Sequence, residues 1–162
     1  MLDDLGNIGD FIGGIAVVVT LLYLAYQVGQ NTKSTHSASY QSIVSSMTTF
    51  SRELAFEDER SELFRKGMLQ PDELSTSERT RFYLLMTSYF RSFENIHFQY
   101  SSKAIPEDVW EGWAHRIASS LKNPGCLLWW EKDQRVYSGR FRAYINDEVM
   151  PMDVEPFSLQ LD

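Results

Sequence analysis

The 162-residue chain contains one cysteine, Cys126, so no internal disulfide framework can hold it together. It has no N-x-S/T acceptor, no G-x-G-x-x-G, no G-x-x-x-x-G-K-[ST] and no G-x-S-x-G. Dinucleotide binding, P-loop chemistry and an α/β-hydrolase nucleophile therefore have no foothold. No segment alternates as a strand, and no period of 20–50 residues repeats. A basic excess is missing too: the net charge is −7. Three acids and no bases lie in residues 1–32, and three further acids lie in 150–162. The intervening 117 residues carry 16 acids and 15 bases, which argues against a nucleic-acid-binding face.

The most telling absence is of charge between Phe11 and Asn31, FIGGIAVVVTLLYLAYQVGQN. From Phe11 to Tyr26 the run is almost continuously apolar. A helix from Ile8 to Gln27 would be roughly 30 Å long, matching a bilayer's hydrocarbon core. The β-branched block Val17-Val18-Val19-Thr20 is unusual in a soluble helix and ordinary in lipid. The residues before the run are acidic rather than basic. Its exit, Leu24-Ala25-Tyr26-Gln27-Val28-Gly29, lacks a small-residue cleavage site, unlike a signal peptide. The expectation is a membrane span within residues 1–30.

Small residues recur along that span as Gly6, Gly9, Gly13, Ala16 and Thr20, at spacings of 3, 4, 3 and 4. Helices in lipid gain little by hiding apolar surface and associate where small side chains let backbones approach. The stripe thus predicts a homo-oligomer. Asp10 reads as an interfacial acid at the helix start. Lys33, with Arg52 farther on, is the basic flank, which places the C-terminal domain in the cytoplasm by the positive-inside bias.

Residues 31–149 read as a soluble helical domain. Eleven of the 21 residues from Asn31 to Ser51 are Ser or Thr, with no Pro or Gly before Leu54. Tyr40, Ile43, Val44, Met47, Phe50 and Leu54 form a helical stripe, so the span is expected to continue as a helix with one hydroxyl-rich face. Asp58–Leu69 predicts a short helix closed by Gly67 and Pro71. Ser75-Thr76-Ser77-Glu78 is a capping box opening a helix to about Tyr100, with Phe82, Met86, Tyr89, Phe93, Ile96 and Tyr100 inward. Pro106 starts another helix, with Trp110, Trp113, Ile117 and Leu121 inward. Asn123-Pro124-Gly125 breaks it, and one last helical region runs to Val149. Residues 150–162, with Pro151 and Pro156, read as an extended or disordered acidic tail. The expected fold class is all-α: one N-terminal transmembrane helix continuing into a bundle of four to five helices.

Four stretches carry a resemblance: IGDFIGGIAVVVTLLYLAYQVGQNT, FRSFENIHFQY, PEDVWEGWAHRI and NPGCLLWWEKDQRVYSGRFRAYI. Over residues 5–149 the chain resembles a widespread, uncharacterised group of small bacterial membrane proteins. These have an N-terminal membrane helix with a Q-x-x-Q-N-T-like exit and a C-terminal helical domain. The resemblance implies a bacterial inner-membrane protein and lends no catalytic residues.

Glu94-Asn95-Ile96-His97 has the E-x-x-H spacing that di-iron bundles use in pairs. Only one such pair exists, and Glu111 with His115 is a poor substitute, so no metal or other cofactor is expected. The plainer reading is a polar seam of Arg91, Glu94 and His97, with Arg91 and Glu94 paired across one turn. Beside Trp110 and Trp113 this cluster is the candidate ligand site. Cys126, after Pro-Gly and before an apolar run, reads as a packed thiol. These features favour a non-enzymatic, self-associating membrane protein, channel-like or an effector. The alternatives are a monomeric anchor whose domain binds a partner protein or lipid, and a membrane-tethered metalloenzyme.

Overall fold

The computed structural model describes residues 2–158, with side chains described from Ile12 onward. Among the described residues every regular element is helical: α1 (Leu2–Phe56), α2 (Asp58–Leu69), α3 (Thr76–Ser101), α4 (Glu107–Leu121), α5 (Pro124–Asp133) and α6 (Gly139–Tyr144). Short 3₁₀ turns at Pro71–Glu73 and Gln134–Val136 and a π-turn at Ile145–Val149 complete them. The fold is all-α as expected, with six α-helices, slightly above the four to five anticipated. The chain divides into two compact units, residues 1–38 and 39–162.

In the first unit α1 is long and apolar enough to cross a membrane, and none of its most apolar window is buried. Ile12, Val17, Leu21, Leu22 and Tyr26 are all about 60% exposed.

In the second unit the remainder of α1 contributes Ile43 and Met47 to a core, with Phe50 and Leu54 half-buried. Tyr40 and Val44, expected on the same inward stripe, stay exposed. The stripe is too wide for one contact face and only its 43/47/50/54 edge is covered.

Helix α3 is the centre of the unit. Its capping box is formed: Ser75 Oγ accepts from the Glu78 backbone N–H at 3.3 Å, and the Ser75 N–H donates to Glu78 Oε2 at 2.8 Å. Those bonds to Ser75, with Lys66 behind them, hold the Glu78 carboxyl down at about 2. Phe82, Met86, Tyr89, Phe93 and Ile96 are buried, and Phe90 and His97 join them. The buried face is therefore broader than a simple 3,4 stripe, because other helices cover α3 from both sides.

Gly67 does not end α2. It sits inside the helix, where an added Cβ would fall 2.1 Å from the Phe82 ring. Gly125, in the first turn of α5, meets the same spot: a Cβ there would lie 1.8 Å from the Gly67 carbonyl oxygen. Two glycines thus let α2 and α5 touch backbone to backbone. Beyond α5 the expected single helix is interrupted. Tyr137 is extended, and Ser138 caps α6 by accepting from the Phe141 N–H. Burying Tyr137 between Trp129, Trp130 and Phe141 requires that break.

Residues 153–158 carry no regular element and are fastened to the end of α4 and the turn after it. The Phe157 N–H donates to Ser119 O at 2.8 Å, Ser119 Oγ to Glu155 O at 2.8 Å, and Asn123 Nδ2 to Phe157 O at 3.3 Å.

Candidate functional site

Arg91 and Glu94 form the ion pair that their spacing suggests, on a turn of α3 facing the α5–α6 connection. The other Glu94 oxygen accepts the Ser138 N–H at 2.7 Å. Arg91 reaches the Val136 carbonyl at 3.4 Å and lies 4.5 Å above the Tyr137 ring. Burial pushes the Glu94 carboxyl upward, but the Ser138 bonds and the Arg91 charge outweigh it, leaving the group below its ordinary value. All these contacts hold a turn in place; Glu94 is largely covered by them, while the Arg91 side chain stays half exposed.

His97 does not join that seam. It is 5% exposed and its ring lies among Trp110, Phe141 and Tyr144, at centroid distances of 5.2, 5.6 and 4.9 Å. Desolvation, helped by Arg140 and opposed by Glu94, holds its pKa below the ordinary histidine value. A neutral imidazole at neutral pH follows. Trp110, 1% exposed, stacks on Tyr100 at 5.4 Å and donates its indole N–H to the Tyr144 hydroxyl at 3.0 Å. The aromatic group beside Glu94 is thus a filled core. Among the described residues no three His, Cys, Asp or Glu side chains gather as a metal site. Glu111 and His115 are both exposed on α4. Cys126 is fully buried, and burial drives its thiol pKa far up, which keeps the thiolate from forming.

Trp113 separates from Trp110. It is half-buried, touches Phe93 at 6.3 Å, and faces an open groove of about 730 Å³ within the second unit. The groove has Met47, Phe50 and Leu54 of α1 on one side and Phe64 of α2 and Tyr89 of α3 below. Phe50 stacks on Tyr89 at 4.8 Å and meets Phe64 edge-on at 6.0 Å. Arg52, Arg116 and Phe157 complete the rim. None of these three was a sequence candidate. The isolated aromatic in a polar tail, Phe157, was the one available signal, because a solvated tail has no need of it.

On α1, Gly13 has nothing within 4 Å of where a Cβ would stand. Thr20 returns its hydroxyl to the Ala16 carbonyl at 2.8 Å, so the polar group is satisfied inside the helix. Gly6 and Gly9 lie on the helical backbone, but their surroundings, like those of Asp10, fall outside the described residues. Comparison with protein-family models, curated proteins and solved structures finds no match.

Proposed function

We propose that this is a single-pass membrane protein that self-associates through its N-terminal helix and presents the helical unit 39–158 to the cytoplasm. The observation that carries the reading is the complete exposure of the apolar window of α1. Water would tolerate that surface poorly. Burying apolar area is worth about 25 cal/mol per Å², and the apolar residues from Ile12 to Val28 are all left exposed. Lipid and neighbouring copies are the covers that fit the charge-free stretch from Phe11 to Asn31.

Support for association comes from Gly13, Ala16 and Thr20, the described part of the stripe. Gly13 is open, and the Thr20 hydroxyl is already bonded. A second α1 can therefore approach closely without stranding a polar group. Asn31 to Ser51 would then bring hydroxyl-rich faces together, and Thr32 and Thr35 bond back to Val28 and Asn31 in the same self-satisfied way. The assembly would be a non-enzymatic homo-oligomer, channel-like or an effector, in a bacterial inner membrane. The absence of Lys and Arg before the span and the presence of Lys33 after it support the cytoplasmic side for the domain.

Gly13→Leu should lower the oligomer mass in mild detergent, measured by size-exclusion light scattering, while Leu22→Ala leaves it unchanged. A Gly13→Leu protein with the parental mass would remove the stripe from the account.

A further inference from the structure

The groove beside Trp113 has a floor and a rim of different chemistry. Its floor is largely carbon, from Met47, Leu54 and the rings of Phe50, Phe64 and Trp113, and the hydroxyl residues Thr48, Ser51 and Ser61 also belong to the lining. Tyr89 adds only its ring, because its hydroxyl is buried against Ser120 Oγ at 3.4 Å. The rim carries Arg52, Arg65 and Arg116 and no carboxylate. Arg65 is already taken by Glu62, which accepts from it twice, at 2.6 and 2.8 Å. Arg52 has no acceptor among the described residues. Arg116 lies 4.1 Å above the Phe157 ring, a contact that uses its face and leaves its N–H donors at the edge. Two uncompensated guanidinium groups thus border an apolar trough in a chain whose net charge is −7.

We infer that this groove binds a single-tailed anionic amphiphile, a long-chain carboxylate, with its alkyl chain along Met47, Phe50, Leu54 and Trp113 and its head on Arg52 and Arg116. A volume of about 730 Å³ falls among small-molecule sites, about 300–1,000 Å³. A docked protein would need a standard interface of about 800 Å² per partner. The apolar side chains of the lining offer an alkyl chain extensive carbon contact. The head group needs charge and planar donors, which arginine supplies in a fork matched to a carboxylate. Phe157, the one residue of 153–158 that lines the groove, has its backbone tied to Ser119 and Asn123, so its place on the rim is fixed before a ligand arrives. The assignment concerns only residues of the second unit and does not rest on self-association.

The probe is 12-bromododecanoate, added to the full-length protein in nonionic detergent, with tryptophan fluorescence as readout. Bromine quenches an indole only on contact. Trp113 is half-buried at the groove, whereas Trp110, Trp129 and Trp130 are at most 5% exposed. Saturable quenching is expected, and Trp113→Phe should abolish most of it. Arg52→Ala combined with Arg116→Ala should weaken apparent affinity at least tenfold, as loss of charge-assisted bonds requires. Both side chains are exposed, so the unfolding midpoint should hold; Arg52→Glu with Arg116→Glu should weaken binding further. 12-Bromododecanol should bind at least tenfold less tightly than the acid. Lengthening unbrominated carboxylate competitors should tighten displacement by about fourfold per methylene until the groove is full.

Equal quenching by acid and alcohol, indifference to the arginine variants, or full quenching of the Trp113→Phe protein would overturn the proposal. Arginine-dependent quenching by a brominated two-chain phosphatidylglycerol, with none by the single-chain acid, would give the groove to bilayer lipid instead. Quenching lost as oligomer mass rises would give it to a second copy.

Discussion

The apolar residues of residues 12–28 and those of the helical unit 39–158 meet opposite fates. In the first stretch they are mostly aliphatic, with Tyr23 and Tyr26 the two aromatics, and all are exposed, the β-branched Val17, Val18 and Val19 at 55–59%. In the second a core rich in aromatic rings is enclosed, with Trp110, Trp130, Phe90, Phe93 and Phe141 at 1% or less. Smooth aliphatic surface suits a fluid of hydrocarbon chains, which needs no shape complementarity. Aromatic side chains reward a fixed geometry, edge-on or offset, that only a packed interior provides. Hydrophobicity alone does not distinguish the two; branching, ring content and the spacing of polar neighbours do.

The sharpest way to break this contrast is to truncate one side chain in each region. Trp130 is fully buried, bonded through its indole N–H to Asn146 at 2.9 Å and packed on Phe90 and Tyr137. Trp130→Ala should cost about 3–5 kcal/mol in chemical unfolding of the helical unit. Val18→Ala should leave that transition in place. Equal losses would mean that the span is part of the same packed core.

A smaller effect is expected where the enclosed region relies on having no side chain. Gly125→Ala should raise helix propensity by about 1 kcal/mol, yet its Cβ would press on the fixed Gly67 carbonyl. Overpacking against backbone should win, with a net loss of about 2 kcal/mol in urea unfolding. At Gly14 of α1, where nothing lies within 4 Å, the same substitution should not disturb that transition.

The smallest effect is a pH dependence. His97 has its pKa lowered by burial and by Arg140, so the unfolded chain takes up a proton first as pH falls. The stability due to the neutral ring is full above 6.5, the ordinary histidine value, and declines below it until the folded value is reached. His97→Phe should flatten the urea midpoint between pH 7.5 and 5. A midpoint that rises on acidification in the parent would contradict the burial argument.

Local chemistry made much of this fold legible. The capping box at Ser75, the bounds Asp58–Leu69 and the prolines at 106 and 124 each act within one helical turn, so they could be read directly. The Arg91–Glu94 pair is equally local. What escaped is set by contacts distant in sequence. Phe90 and His97 are buried because α3 is covered on two sides. Gly67 looks like a helix end until Gly125, 58 positions later, arrives against its carbonyl. The groove is harder still: Arg52, Arg116 and Phe157 come from three separate segments, and no spacing rule connects them. Trp113 was named for its partnership with Trp110, but one helical turn sends the two rings to different surroundings.

Every functional statement about α1 depends on where the uncovered stretch from Ile12 to Val28 resides. The direct measurement is flotation of the full-length protein with lipid vesicles through a density gradient after alkaline carbonate washing, alongside a Val18→Arg variant. The parent should float with the lipid and resist the wash. The variant, carrying a charge that costs about 3 kcal/mol at a span's centre, should be partly extracted. A parent protein that stays at the bottom of the gradient, or a variant that floats equally well, would contradict the membrane assignment.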